Sequence, residues 1–228
     1  MKTFMSVIVD GNTIVEFVVK LFIIFFCLSV HECAHALTAL KLGDHTGELE
    51  GRITLNPFAH FDLWGTMLII LFGFGYAKPV NVNVNNLRKP KRDSVLVALA
   101  GPLSNFVMGL VFLLIANIFS FSTNQGIMNQ SLSGYLCQAL RYAAYLNFGL
   151  MVFNLIPIPP LDGFKVVSGI LPDRCRYRIS RAENKSLYII LGAMLIFNLI
   201  GFSPVHFIAK GLFNSLDGLY GSIFNIKI

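Results

Sequence analysis

The stretch LFIIFFCLSVHECAHALTAL, residues 21–40, decides the fold, because it is long and apolar enough to cross a bilayer and still carries His31, Glu32 and His35. On a helix, residues four apart lie about 40° around and one turn along from each other, so both imidazoles can reach a single cation. Glu32 sits between them in sequence, placed to act on a bound water rather than on the metal. The plain alternative is that all three are core residues satisfied by neighbouring helices. Inside lipid that is costly, and ionisable side chains within a span point to function.

Working outward, the whole chain reads as a membrane protein. Of 228 residues, 55% are hydrophobic and 13% charged, with a mean hydropathy of +0.67, a profile unlike that of a soluble domain. The first span is expected over 13–40, and residues 1–10 are too short and too weakly basic for a signal peptide, so this span is expected to be retained. Residues 41–62 are polar, with a strand expected near 49–55. Residues 63–76 are apolar but too short for a full span, which favours a re-entrant segment turning near Gly73 and Gly75. Val80, Val82 and Val84 alternate with Asn81, Asn83 and Asn85, the period of a half-buried strand. Two further spans are expected over 94–121 and 132–157, and a shorter one over 187–202. From Val205 onward a rough helical period predicts a helix that crosses or lies in the interface. The fold class is therefore all-α and polytopic: a bundle of about four to six transmembrane helices with a small β-element and a re-entrant segment. It forms one domain over 1–228, with a catalytic core near 13–170 and C-terminal helices near 187–226.

The net charge of +6 does not indicate nucleic acid, since the basic residues fall between apolar runs and so report topology. With 63–76 not crossing, Lys41, Arg52, Lys78 and the Arg88–Arg92 cluster share a face with Arg174, Arg176, Arg178, Arg181 and Lys185. The positive-inside rule makes that face cytoplasmic. Charge alone also permits 63–76 to cross. Cys27, Cys33, Cys137 and Cys175 have the spacing of neither a zinc ribbon nor a disulfide framework and read as small apolar fillers. His45, His60 and His206 read as ordinary loop or interfacial histidines, and Trp64 as an interfacial anchor.

Two histidines leave a catalytic zinc site one protein ligand short. The best candidate for the third is Asp162, in NLIPIPPLDG (154–163), where prolines break the helix at membrane depth and Gly163 lets the chain turn beside the carboxylate. A solvated loop aspartate is the plainer reading. For Asp162 to meet His31 and His35, the Lys41 end of the first span and the end of the 132–157 span must share one face. That requirement selects the re-entrant reading of 63–76 and places the metal nearer the cytoplasmic surface.

Together, H-E-x-x-H in a membrane helix and N-x7-D-G after proline kinks resemble the motif pair of the site-2 protease family of intramembrane zinc metalloproteases. Gly75-Tyr-Ala-Lys78-Pro79-Val80 and Ala100-Gly101-Pro102-Leu-Ser-Asn105 are similar to family signatures beside the catalytic helices. The likeness runs over about residues 20–170, in a compact form with no room between the spans for a PDZ domain and no nucleotide-sensing domain. The resemblance implies one zinc ion held by His31, His35 and Asp162, with Glu32 as general base and Asn154 orienting substrate or stabilising an oxyanion. Helix packing is the plainer role for Asn154 and also for Asn105, which is assigned weakly to substrate binding. Val80, Asn81, Val82 and Asn83 are expected to pair with an unwound substrate by strand addition. The implied substrates are single-pass membrane proteins or remnant signal peptides. The partners are that substrate and the bilayer, without nucleic acid and with the oligomeric state left open. A transmembrane metal-ion transporter is the rival reading, but it predicts polar residues staggered through repeated halves, and one compact cluster with no repeat is found.

Overall fold

A computed structural model describes residues 14–72, 75–171 and 203–224, with positions 192, 193 and 196 in addition. The basic segment 174–185 and most of the span expected over 187–202 lie outside the described residues. The chain runs through α1 (Ile14–Lys41), α2 (Thr46–Leu49), α3 (Leu63–Phe72), α4 (Pro90–Asn124), α5 (Gln130–Asn154), α6 (Asp162–Ile170) and α7 (Pro204–Ile223). Two of these, α1 from Val15 and α4, are long and apolar enough to cross a membrane. At 1.5 Å per residue, α1 is about 42 Å long, more than the hydrocarbon core requires.

The helices pack with α4 at the centre, against α1, α5, α6 and α7. Their surfaces are inverted relative to a water-soluble protein. Phe22 is 62% exposed, Leu103 57% and Val107 55%, whereas the amides of Asn105, Asn117 and Asn147 are fully buried. Lipid solvates apolar side chains as well as a core does, so the polar ones turn inward to find partners. α7 is docked in this way: Asp217 pairs with Arg141 of α5 and accepts from Asn117 Nδ2 of α4 at 3.1 Å. Beside it, Ala209 packs on Phe148, Leu113 and Ala144.

α3 does not carry the chain away. A Cβ at Gly65 would stand 1.9 Å from the Tyr76 carbonyl oxygen, and one at Gly75 would stand 2.1 Å from the Gly65 carbonyl oxygen. Residues 75–76 therefore lie against the start of the helix that left ten residues earlier, and only glycines allow backbones to approach so closely. Lys78 N–H then donates to the His60 carbonyl at 2.8 Å, returning the chain to its starting side. Further on, Arg88 N–H donates to the Leu42 carbonyl at 3.1 Å, which pins the start of α4 to the end of α1.

Neither expected strand forms among the described residues. Near 49–55, Asp44 accepts from the Thr46 N–H at 3.1 Å and the Thr46 hydroxyl at 2.6 Å, a local turn that starts α2 instead. Residues 80–83 lie outside any helix, with Asn83 extended, but two of their amides are spent on carboxylates: Val80 N–H on Glu32 at 2.9 Å and Asn83 N–H on Asp44 at 2.8 Å. Residues Val84–Asn86 then wind into a 3-10 turn capped by Asn83. The Val/Asn alternation is still used, because Val82 and Val84 pack on the buried cluster of Ala39, Leu87 and Val97. What is absent is a neighbouring strand to complete a ladder.

Candidate metal centre

His31 and His35 face the same way from the second half of α1, and Asp162 is delivered by the N-terminus of α6. Its delivery depends on Gly163. A Cβ there would meet the Leu155 carbonyl oxygen at 2.2 Å, so glycine lets α6 fold back tightly on the end of α5. The Nε2 atoms of the two histidines are 3.0 Å apart, and each lies 3.1 Å from Asp162 Oδ2. All three side chains are buried.

The donor chemistry of this cluster calls for a cation. His35 Nδ1 lies 2.7 Å from the Val97 carbonyl oxygen. A carbonyl only accepts, so Nδ1 carries the proton and the neutral ring presents a lone pair at Nε2. That lone pair faces a carboxylate oxygen and a second imidazole nitrogen, an arrangement of acceptors that a metal ion satisfies. Tetrahedral zinc with ligands at 2.0–2.2 Å separates them by about 3.3 Å, close to the spacing found. Lys165 reaches Asp162 Oδ1 at 3.2 Å and leaves Oδ2 for the histidines.

Taken as a whole, the helical framework, two membrane-length apolar helices and a His-His-Asp cluster match one family. The sequence model of peptidase family M50, the site-2 proteases, covers residues 19–133 and 121–199. This chain belongs to peptidase family M50. It is 38% identical to YwhC of Bacillus subtilis over 72% of this chain and 74% of that protein. It is 28% identical to Rip2 of Mycolicibacterium smegmatis over 72% of this chain and 61% of the relative. Both carry the words zinc metalloprotease in their names, as does MJ0392 of Methanocaldococcus jannaschii, 28% identical over 62% of this chain and 45% of its own length. The chain thus spans less than two thirds of two of these three relatives. No solved structure matches it.

Within this M50 chain, the remaining residues expected at the site are distributed as follows. Glu32 Oε2 is held by Val80 N–H at 2.9 Å, which ties the carboxylate to residues 80–83. Asn81 is exposed and donates to both oxygens of Glu50. Asn154 donates Nδ2 to the Leu150 carbonyl of its own helix at 3.0 Å, leaving Oδ1 for other partners. Asn105 is buried inside the helix packing rather than on a surface open to substrate. Sequence reasoning missed two contributors, the Val97 carbonyl and Lys165; Gly101 stood in the Ala100–Asn105 signature, but its bare face against both imidazoles is visible only in the packing. Of the two missed, only Lys165 left a signal, at the i+3 position from Asp162 on a short helix.

Proposed function

We infer that this chain is an intramembrane zinc metalloprotease that hydrolyses single-pass membrane proteins or remnant signal peptides within or near the bilayer. One observation supports it above the others: donors from α1 and α6 converge at 3.0–3.1 Å with Glu32 adjacent in sequence to His31. His31, His35 and Asp162 are the proposed ligands, in a single membrane-embedded domain whose site lies nearer the cytoplasmic side. Zinc, when bound, supplies Lewis acidity and an acidified water. The chain's own residues do the rest. Glu32 accepts the water proton at its carboxylate and returns it to the leaving amine. Val80 N–H limits the positions that carboxylate can take, so the base is oriented before substrate arrives. Asn154 is proposed to turn its amide towards the substrate carbonyl when one is present.

A peptide bond in a helix is protected by its own hydrogen bonds, so the substrate must unwind locally. Residues 80–83, which lie outside any helix, are proposed to pair with the freed backbone through the groups that Glu32 and Asp44 do not use. The test is Glu32→Gln in proteoliposomes with a model single-pass substrate. Cleavage is expected to fall by at least about 100-fold with zinc content unchanged. Cleavage at the parental rate would remove Glu32 from the mechanism, and zinc flux without cleavage in the parent would favour the transporter.

A further inference from the structure

The two histidines are supported unequally. His35 donates Nδ1–H to the Val97 carbonyl, whereas His31 Nδ1 is buried with no hydrogen-bond partner. If His31 binds metal through Nε2, as the reading above requires, its Nδ1 must carry a proton, and metal-bound imidazoles almost always donate that second N–H to an acceptor. A buried donor left without one costs the site the full desolvation of the group.

The position of the ring shows where the acceptor should be sought. A Cβ built on Gly101 would lie 2.5 Å from His31 Cε1 and 2.6 Å from His31 Nε2. The Nε2–Cε1 edge of His31 therefore lies flat against α4 at Gly101, and Nδ1 is the next atom along that ring. α1 and α4 run antiparallel here, since the end of α1 is pinned to the start of α4 and His35 meets Val97 while His31 meets Gly101. One further turn along the same stripe, 97, 101, 105, comes Asn105. Its side chain is 0% exposed, and both Nδ2 and Oδ1 lack any partner. A fully buried amide with neither end satisfied is rare in native packing, and each case calls for a ligand or an ordered water.

We propose that Asn105 is the positioning residue for His31: its Oδ1 accepts the Nδ1–H through one bridging water, as the Val97 carbonyl does directly for His35. A water fits the chemistry, because the two groups are not in direct hydrogen-bond contact and a buried water needs two to four polar partners. Asn147 Oδ1 on α5 is also unpaired, one turn outward of the site beside Cys27, and supplies a third partner. Asn105 touches no substrate in this arrangement. It sets the tautomer and tilt of one ligand.

The two explanations of an unpartnered buried amide predict opposite results for Asn105→Leu, which keeps the shape and removes the polarity. A mere packing residue leaves zinc affinity unchanged and the metal-free protein as stable or more so, since an unsatisfied polar group has gone. A positioning residue loses zinc affinity by about 10- to 100-fold, with the melting temperature of the metal-free protein unchanged or raised. Zinc dissociation constants are measured by chelator competition on the full chain in detergent, beside Asn105→Asp, Asn105→Ala and Asn147→Leu. Asn105→Asp retains an acceptor oxygen and is expected to stay within a few-fold of the parent. Asn105→Ala gives the same readout as leucine should the larger side chain disturb packing. Parental affinity in both the leucine and alanine variants overturns the proposal, and so does a loss seen in Asn147→Leu alone. His31→Ala and Asp162→Ala run in parallel. If these retain zinc, it is the metal site itself that has been misread.

Discussion

Gly101 contributes to this site through what it lacks. A Cβ at that position would stand 2.4 Å from His35 Nε2 and 2.6 Å from His31 Nε2, so even one methyl group would push both donor atoms out of the arrangement that suits a metal. Gly101→Ala is therefore expected to weaken zinc binding by about 10- to 100-fold. Gly109→Ala on the same helix, whose Cβ would meet the Phe148 ring at 2.5 Å, should cost about 1–3 kcal/mol of stability and leave zinc affinity alone. Chelator competition and thermal melting of both variants separate the two effects, and equal zinc affinity in Gly101→Ala and the parent would refute this account. The bringing together of His31, His35 and Asp162 was legible beforehand, because i,i+4 imidazoles in an apolar helix have few other uses and proline kinks before Asp-Gly mark irregular backbone at depth. Val97 was not legible. It acts through a carbonyl oxygen that every residue possesses, and only the docking of α4 on α1 selects it.

At the scale of elements, the segment between α3 and α4 shows how far a period of two can be trusted. Its valines do face inward, yet its amides bind carboxylates of other segments, which no alternation pattern records. Asp44 is the anchor. Its carboxylate is fully buried and accepts from Thr46, from Asn83 N–H and from Asn86 Nδ2. Burial alone would raise its pKa, but the hydrogen bonds from Thr46, Asn86 and Asn83 outweigh it and hold the carboxyl below the ordinary value. A carboxyl with a depressed folded pKa binds its proton less readily in the folded state than in the unfolded one. Its stabilisation is therefore complete above the unfolded pKa of about 3.9 and fades as pH falls towards the folded value. Asp44→Ala is expected to cost about 2–4 kcal/mol near neutrality by leaving these donors unpaired. The gap in melting temperature between parent and variant should narrow as pH drops from 5 to 3. A gap that stays constant over that range would show that Asp44 acts in some other way than as a charged acceptor. Because Val80 in the same segment orients Glu32, the variant is also expected to lose activity at pH values where it remains folded.

Across the whole molecule, the chemistry and the topology constrain each other. Asp162 follows α5 and the histidines lie towards the Lys41 end of α1, so these three side chains meet only if the ends of α1 and α5 share a face. With α4 and α5 each proposed to cross once, that holds only when α3 turns back. The contacts of Gly65 with Tyr76 and of Lys78 with His60 give this reversal a physical basis that charge counting lacked, since the basic residues fitted either path. The length of α3 agrees with that proposal, ten residues making about 15 Å, half of a hydrocarbon core. Single cysteines on a background lacking Cys27, Cys33, Cys137 and Cys175 make the test direct. Glu50→Cys precedes α3, Asn85→Cys follows it, and Gln125→Cys lies between α4 and α5. In sealed inverted vesicles a membrane-impermeant maleimide is expected to label positions 50 and 85 to similar extents and to spare 125, with the pattern reversed in intact cells. Labelling of 50 and 85 from opposite sides would mean that α3 crosses, and a crossing α3 cannot coexist with an arginine at 88 bonded to the carbonyl of Leu42 or with a metal shared between α1 and α6.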